Sequence, residues 1–291
     1  MRQSPAPFLR SGVALMAALG TSAAMAQAAH GPGAHNHAAP TQATPAVGTP
    51  EPARVLHPWQ AAPPRLSAEA YFTNLKDGDR IETPYVLKFG LSGGWGLAPI
   101  AQTGQGKSGH HHLLVNRDLP LNFKQALPFN EQYIHFGKGQ METVLTLEPG
   151  EYTLRMLLAD QQHLPHFVFS KPTKITVTRK NATDPATLQK KGLAIDVVQS
   201  NSQRPPFLVR FHASLLNVAQ VTQKIPETGH FKLTVAPVAG GAPAVMDFRD
   251  GQTEVWLAPP AGAYNLRLEM LDNLDPGKAL AEAATARVEV R

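Results

Sequence analysis

Glu148-Pro-Gly150 leads into Tyr152-Thr-Leu-Arg-Met-Leu-Leu158, and Pro260-Ala-Gly262 leads into Tyr264-Asn-Leu-Arg-Leu268. A Pro/Gly turn followed by aromatic and aliphatic residues in alternation reads as a strand; its recurrence reads as a duplication. The frame extends in both directions. Phe136-Gly-Lys-Gly-Gln-Met-Glu142 answers Phe248-Arg-Asp-Gly-Gln-Thr-Glu254, and Ser108-Gly-His-His-His-Leu-Leu-Val115 answers Thr228-Gly-His-Phe-Lys-Leu-Thr-Val235. Val86-Leu-Lys-Phe89 answers Leu208-Val-Arg-Phe211, and Asp160 answers Asp272. Short β-branched and aliphatic runs at this spacing, separated by Lys76-Asp-Gly-Asp79, Ser92-Gly-Gly94 and similar turns, predict an all-β fold. The expectation is two tandem immunoglobulin-like antiparallel β-sandwiches, residues 65–180 and 193–291. The linker between them carries the one stretch with any helical pattern, 184–191.

Duplication separates fold from function. Features kept in both copies belong to the frame; features in one copy are candidates for chemistry. The difference is mostly histidine. His111 becomes Phe231, His112 becomes Lys232, and His135 becomes Asp247, whereas His110 persists as His230. His163 and His166 have no histidine counterpart. Successive strand side chains alternate faces, so His110 and His112 share a face and His111 takes the other. His135 can reach the same cleft from the next strand, and the loop Asp160-Gln-Gln-His-Leu-Pro-His166 can close it. Neutral imidazoles converging from strand and loop suit copper or zinc. The candidate ligands are therefore His110, His111, His112, His135, His163 and His166. Met156 lies in a strand alternation and reads as core. Met141 stands where the sister copy has Thr253, which sets it apart from the ligands.

Composition narrows the alternatives. Among 291 residues, 43% are hydrophobic and 17% charged, which supports a buried core. There is no cysteine, which excludes disulfides, thiolate metal sites and cysteine nucleophiles. Residues 1–26 read as a signal peptide: Arg2 and Arg10, a short apolar run over 12–20, and Ala24-Met-Ala26 as the cleavage site. Cleavage near Ala26 takes two of 27 basic residues and leaves 25 against 22 acidic, too weak a balance for nucleic acid. No apolar stretch is long enough to span a bilayer. The expected location is the periplasm. Residues 27–64, with His30, His35 and His37 among Ala and Pro, read as a disordered tether. Gly104-Gln-Gly-Lys-Ser108 imitates a phosphate loop but is followed by strand rather than helix pattern, which removes that reading. Ser108 beside His110 has no orienting acid, so a serine hydrolase is not favoured either.

Gly109-His-His-His-Leu-Leu-Val115, Tyr133-Ile-His-Phe-Gly-Lys-Gly-Gln140 and Leu157-Leu-Ala-Asp-Gln-Gln-His-Leu-Pro-His166 together resemble the bacterial exported family catalogued as domain of unknown function 4399. The resemblance is clear over 70–178 and degenerate in the second copy. It implies a compact exported β-domain and names no ligand. The expected function is periplasmic metal binding, delivery or buffering, with a metal ion and another periplasmic protein as partners. The alternatives are a metal-free interaction module with a structural histidine cluster, and a metal-dependent enzyme using Glu131, Glu142 or Asp160.

Overall fold

In the computed structural model, residues 56–63, 68–120, 122–198 and 202–291 are described. The expected signal peptide, His30, His35, His37 and most of the expected tether lie outside them. The first repeat holds β2 (Ala70–Phe72), β3 (Arg80–Thr83), β4 (Tyr85–Leu91), β5 (Gly96–Leu97), β6 (Ser108–Val115), β7 (Tyr133–Phe136), β8 (Glu142–Leu145), β9 (Gly150–Ala159), β10 (Pro165–Phe169) and β11 (Thr173–Lys180), preceded by β1 (Gln60–Ala61). The second holds β12 (Gly192–Val197), β13 (Ser202–Gln203), β14 (Phe207–Ser214), β15 (Asn217–Val218), β16 (Thr228–Pro237), β17 (Ala244–Phe248), β18 (Glu254–Leu257), β19 (Gly262–Asp272) and β20 (Ala284–Val290).

Each repeat is a sandwich of a large and a small sheet. The first pairs β3-β11-β9-β6-β5, with β10 on β9 and β7 on β6, against β2-β4-β8. The second pairs β13-β20-β19-β16-β15, with β17 on β16, against β1-β18-β14-β12. Most ladders are antiparallel, as the alternation predicts. The exceptions recur in register: β3 on β11 and β13 on β20, then β5 on β6 and β15 on β16, are parallel. The linker forms only a 3₁₀ turn, Pro185–Thr187, whose Ala186 amide donates to the Asp184 carboxylate.

The duplication holds to the residue. His110 lies opposite Ala159 and His230 opposite Leu271, while His112 lies opposite His135 and Lys232 opposite Asp247. Gly109 and Gly229 are shared for a steric reason: a Cβ at either would meet the carbonyl of Ala159 or Leu271 at 2.5 Å. Asp160 and Asp272 each accept an amide two residues on, from Gln162 and Leu274, at 2.9 and 2.8 Å.

One apolar core runs through both repeats, from Leu87, Phe89 and Met156 to Phe211, Phe231 and Leu268. The Leu97 amide donates to the Gly251 carbonyl and the Val218 amide to the Gly139 carbonyl, both at 2.9 Å. A Cβ at Gly96 would sit 1.7 Å from the Asp250 carbonyl oxygen. Gly96→Ala should therefore force the repeats apart and destabilise the chain by about 1–3 kcal/mol, read as a lowered urea midpoint. An unchanged midpoint would show that this contact is dispensable.

Part of the expected tether is structured. Gln60–Ala61 pairs with Trp256–Leu257 of β18, and the Trp59 ring meets Tyr264 edge-on at 5.5 Å. A single large aromatic amid Ala and Pro supplies the burial that anchors the segment.

Candidate metal centre

All eight residues of β6 are buried, and both faces of the strand are covered. Leu113 and Val115 belong to the sandwich core. Leu114 faces a second cluster with Leu127, Leu157 and Ala159, so the other side of the sheet is covered too. The cover comes from Leu119, Phe123 and Leu127 in the long connection between β6 and β7, which shrinks to 238–243 in the second repeat. His110 and His112 stand on this outer face, under that cover.

His110, His112, His135 and His163 each offer one ring nitrogen, and the four nitrogens lie within 4.8 Å of one another. Nε2 of His110 is 2.9 Å from Nε2 of His112, and Nε2 of His163 is 3.2 Å from Nε2 of His135. A tetrahedral ion with nitrogens at about 2.0–2.1 Å separates them by roughly 3.3–3.4 Å, so small ring movements accommodate one ion. His110 and His112 are buried; His135 and His163 are half-buried and form the accessible side. Phe129, 64% exposed, meets His163 and His135 edge-on at 4.5 and 5.2 Å.

Local structure explains how His163 arrives. The Asp160 carboxylate accepts from the amides of Gln162 and Leu164, and the His163 amide donates to the Asp160 carbonyl. This turn holds His163 at φ 64°, a left-handed backbone that histidine tolerates better than most residues. Its carbonyl is fixed by the Leu127 amide at 2.9 Å, tying the loop to the 116–132 cover.

The environment keeps three of these imidazoles, His110, His112 and His135, neutral. Burial pulls His110 down to about 2, with its imidazole neighbours adding to the effect. Burial, followed by His135 and His163, holds His112 at about 3. His135 is lowered by burial and by His163. A neutral imidazole presents a lone pair, the form a metal requires.

Two of the expected ligands are elsewhere. His111 points into the sandwich core, where its ring meets Phe89 at 5.1 Å and neither nitrogen has a partner. Burial alone lowers it to about 3. It fills the place Phe231 takes in the sister repeat, against Phe211. His111→Phe should therefore stabilise the fold by about 1–3 kcal/mol, since two unsatisfied buried nitrogens are removed from an apolar slot. Metal affinity should not change. Denaturant unfolding together with calorimetry checks both; a loss of affinity would return His111 to the ligand set. His166 packs on Trp95 at 4.7 Å, and its ring bonds the Ser108 backbone. It lies in β10, which begins at Pro165 opposite Ala159, and is not among the converging ring nitrogens.

His110, which the sister copy retains, belongs to the cluster. In the second repeat His230 takes the Asn273 side-chain oxygen at 2.7 Å and the Asp247 carboxylate at 3.1 Å. Hydrogen bonds there replace what four imidazoles assemble in the first. Met141 and Met156 are both in the sandwich core and contribute no thioether. Asp160 serves its own turn, while Glu142 bonds His212, Ser214 and Gln189. Phe129 and Leu127 carry no signal in sequence; only the extra length between His112 and His135, relative to Lys232 and Asp247, marks them.

Two regions of the chain, 87–178 and 209–291, match one family model, Domain of unknown function (DUF4399), one match in each repeat. The fibronectin(III)-like modules of Clostridium thermocellum CbhA are similar at 10% identity over 76% of this chain and 94% of theirs, with a TM-score of 0.23. A two-domain fibronectin type-III segment of chicken tenascin is similar at 12% identity over 76% and 97%, also at 0.23. The FN1-FN3 domains of chicken CNTN1 follow at 10% identity over 75% and 64%, with a TM-score of 0.20. No curated protein matches this chain.

Proposed function

The chain belongs to the DUF4399 family, and we propose that it binds one copper or zinc ion through His110, His112, His135 and His163, serving metal binding, delivery or buffering in the periplasm. The observation that carries this reading is the convergence of four imidazole nitrogens on one point, three of those rings held neutral by their surroundings. An all-nitrogen donor set without thiolate or carboxylate suits Cu(II) and Zn(II), with Cu(II) favoured in intrinsic affinity. Two buried ligands supply rigidity, and two half-buried ones leave a route for exchange with another periplasmic protein.

The second reading is a metal-free interaction module. It draws support from the Nε2 contacts at 2.9 and 3.2 Å, which also suit two imidazole–imidazole hydrogen bonds. Thermal shift separates the two. An ion at 100 times its dissociation constant stabilises the folded chain by about 2.7 kcal/mol, or roughly 5–10 °C for a chain of this size. Untagged wild-type protein should show a saturable shift of that order with copper or zinc. No shift with either leaves the hydrogen-bonded ladder in its place.

A further inference from the structure

We infer that the cleft between the two repeats beside His135 binds a small organic carboxylate whose anionic end reaches the bound metal. The inference rests on the metal-binding reading above and names a second ligand for the same centre.

The cleft encloses about 500 Å³, within the range of small-molecule sites. Pro99, Ile100 and Ala101 of the first repeat and Ile225 and Pro226 of the second give it apolar lining, and His135 lines it too. Gly137 is what opens it toward the metal. A Cβ there would lie 2.3 Å from Cε1 and 2.5 Å from Nε2 of His135, and 3.2 Å from Cδ1 of Ile100. Gly137 is not among the glycines with positive φ, so its missing side chain leaves space rather than torsional freedom. That space lies beside the edge of His135 that faces His163. A ligand seated in the cleft therefore meets the coordinating edge of His135 directly.

Charge sets the ligand class. Four neutral imidazoles leave the full charge of a divalent ion uncompensated, and a partly buried unpaired charge is costly. The Asp160 carboxylate accepts two amides through Oδ1 and is not among the converging ligand atoms. Lys138 and Glu227 both line the cleft and are exposed, and they offset one another. The metal is then the main attraction for an anion, and the apolar lining selects a carboxylate with a compact apolar body. This also gives the second repeat a role, since Ile225 and Pro226 are two of those five apolar residues.

The test uses the full chain loaded with Cu(II) to a measured stoichiometry. Benzoate and azide are titrated separately and followed by visible absorption and electron paramagnetic resonance. Both should perturb the copper spectrum saturably. Ala101→Trp, which fills the cleft, should weaken benzoate by at least about tenfold while copper and azide binding stay unchanged. Ile100→Ser, which removes apolar lining, should weaken benzoate several-fold with the same selectivity. Copper-loaded protein that ignores benzoate overturns the inference and leaves the metal reading standing. Equal benzoate affinity in wild type and both variants also overturns it, because the anion then arrives without using the cleft. A chain that takes up no copper overturns the metal reading, and this inference with it.

Discussion

His112→Ala and His135→Ala should each lower copper or zinc affinity by more than about 100-fold, because loss of a ligand exceeds the 10- to 100-fold cost of losing an outer-shell partner. The two residues lie opposite each other across β6 and β7, and each supplies one of the four converging nitrogens. His230→Ala is the matched control. It removes the sister repeat's counterpart of His110, whose partners are Asn273 and Asp247. Calorimetry on the three variants should show two collapses and one unchanged isotherm. His110→Ala and His163→Ala should follow the first pair; His166→Ala should follow the control. Equal losses across all of them would mean dispersed, adventitious binding.

The second large effect is acid destabilisation of the metal-free protein. In the unfolded chain each imidazole takes its proton near 6.5; in the folded chain His110 waits until about 2, and His111 and His112 until about 3. A base whose folded value is depressed contributes its full stability above the unfolded value. That contribution falls away as pH drops from 6.5 toward the folded value. Each buried histidine then costs about 1.4 kcal/mol per pH unit, so the three together cost about 4. His135 and His166, also lowered, act with the same sign. Two pH units consume much of a stability of about 5–15 kcal/mol. Urea midpoints at pH 7.5, 6 and 5 should fall steeply, and His111→Phe should remove about a third of the slope. Flat midpoints over that range would contradict the burial of these rings. The same shifts bear on the pH dependence of metal binding. Unperturbed histidines would release the ion near pH 6.5. Ligands held neutral retain it lower, until unfolding takes over.

Much of the site was legible because strand alternation is a strict rule. It places His110 and His112 together, and it lets His135 reach the same cleft from the next strand. The same alternation assigned His111 to the opposite side, and the sister residue Phe231 already marks that side as apolar. Two things were not legible. His163 and His166 could not be told apart, because the choice depends on a left-handed backbone at His163 and on where β10 begins. The fate of His110 was also open. Retention in both copies reads as a frame residue, yet one imidazole can serve a metal cluster in one repeat and a hydrogen bond in the other. What decides is its neighbours, His112 and His135 against Lys232 and Asp247.

The fold was legible from turns and alternation, down to the paired glycines. The joining of the repeats was not. Contacts such as Gly96 against Asp250, and the Tyr71 hydroxyl donating to Glu254 at 2.5 Å, leave no local pattern in either copy. They change what can be tested, since a core shared between repeats makes the intact chain the unit to study. The 57–61 segment escaped for a related reason: composition alone reads as tether, and a single Trp59 reverses it.

X-ray absorption on the copper- or zinc-loaded chain, purified without a histidine tag, tests the central claim most directly. The expected result is one ion per chain, bound by four imidazole nitrogens at about 2.0–2.1 Å, with any further ligand a light oxygen or nitrogen atom. No stoichiometric ion, or an ion held by only one or two imidazoles, would contradict it.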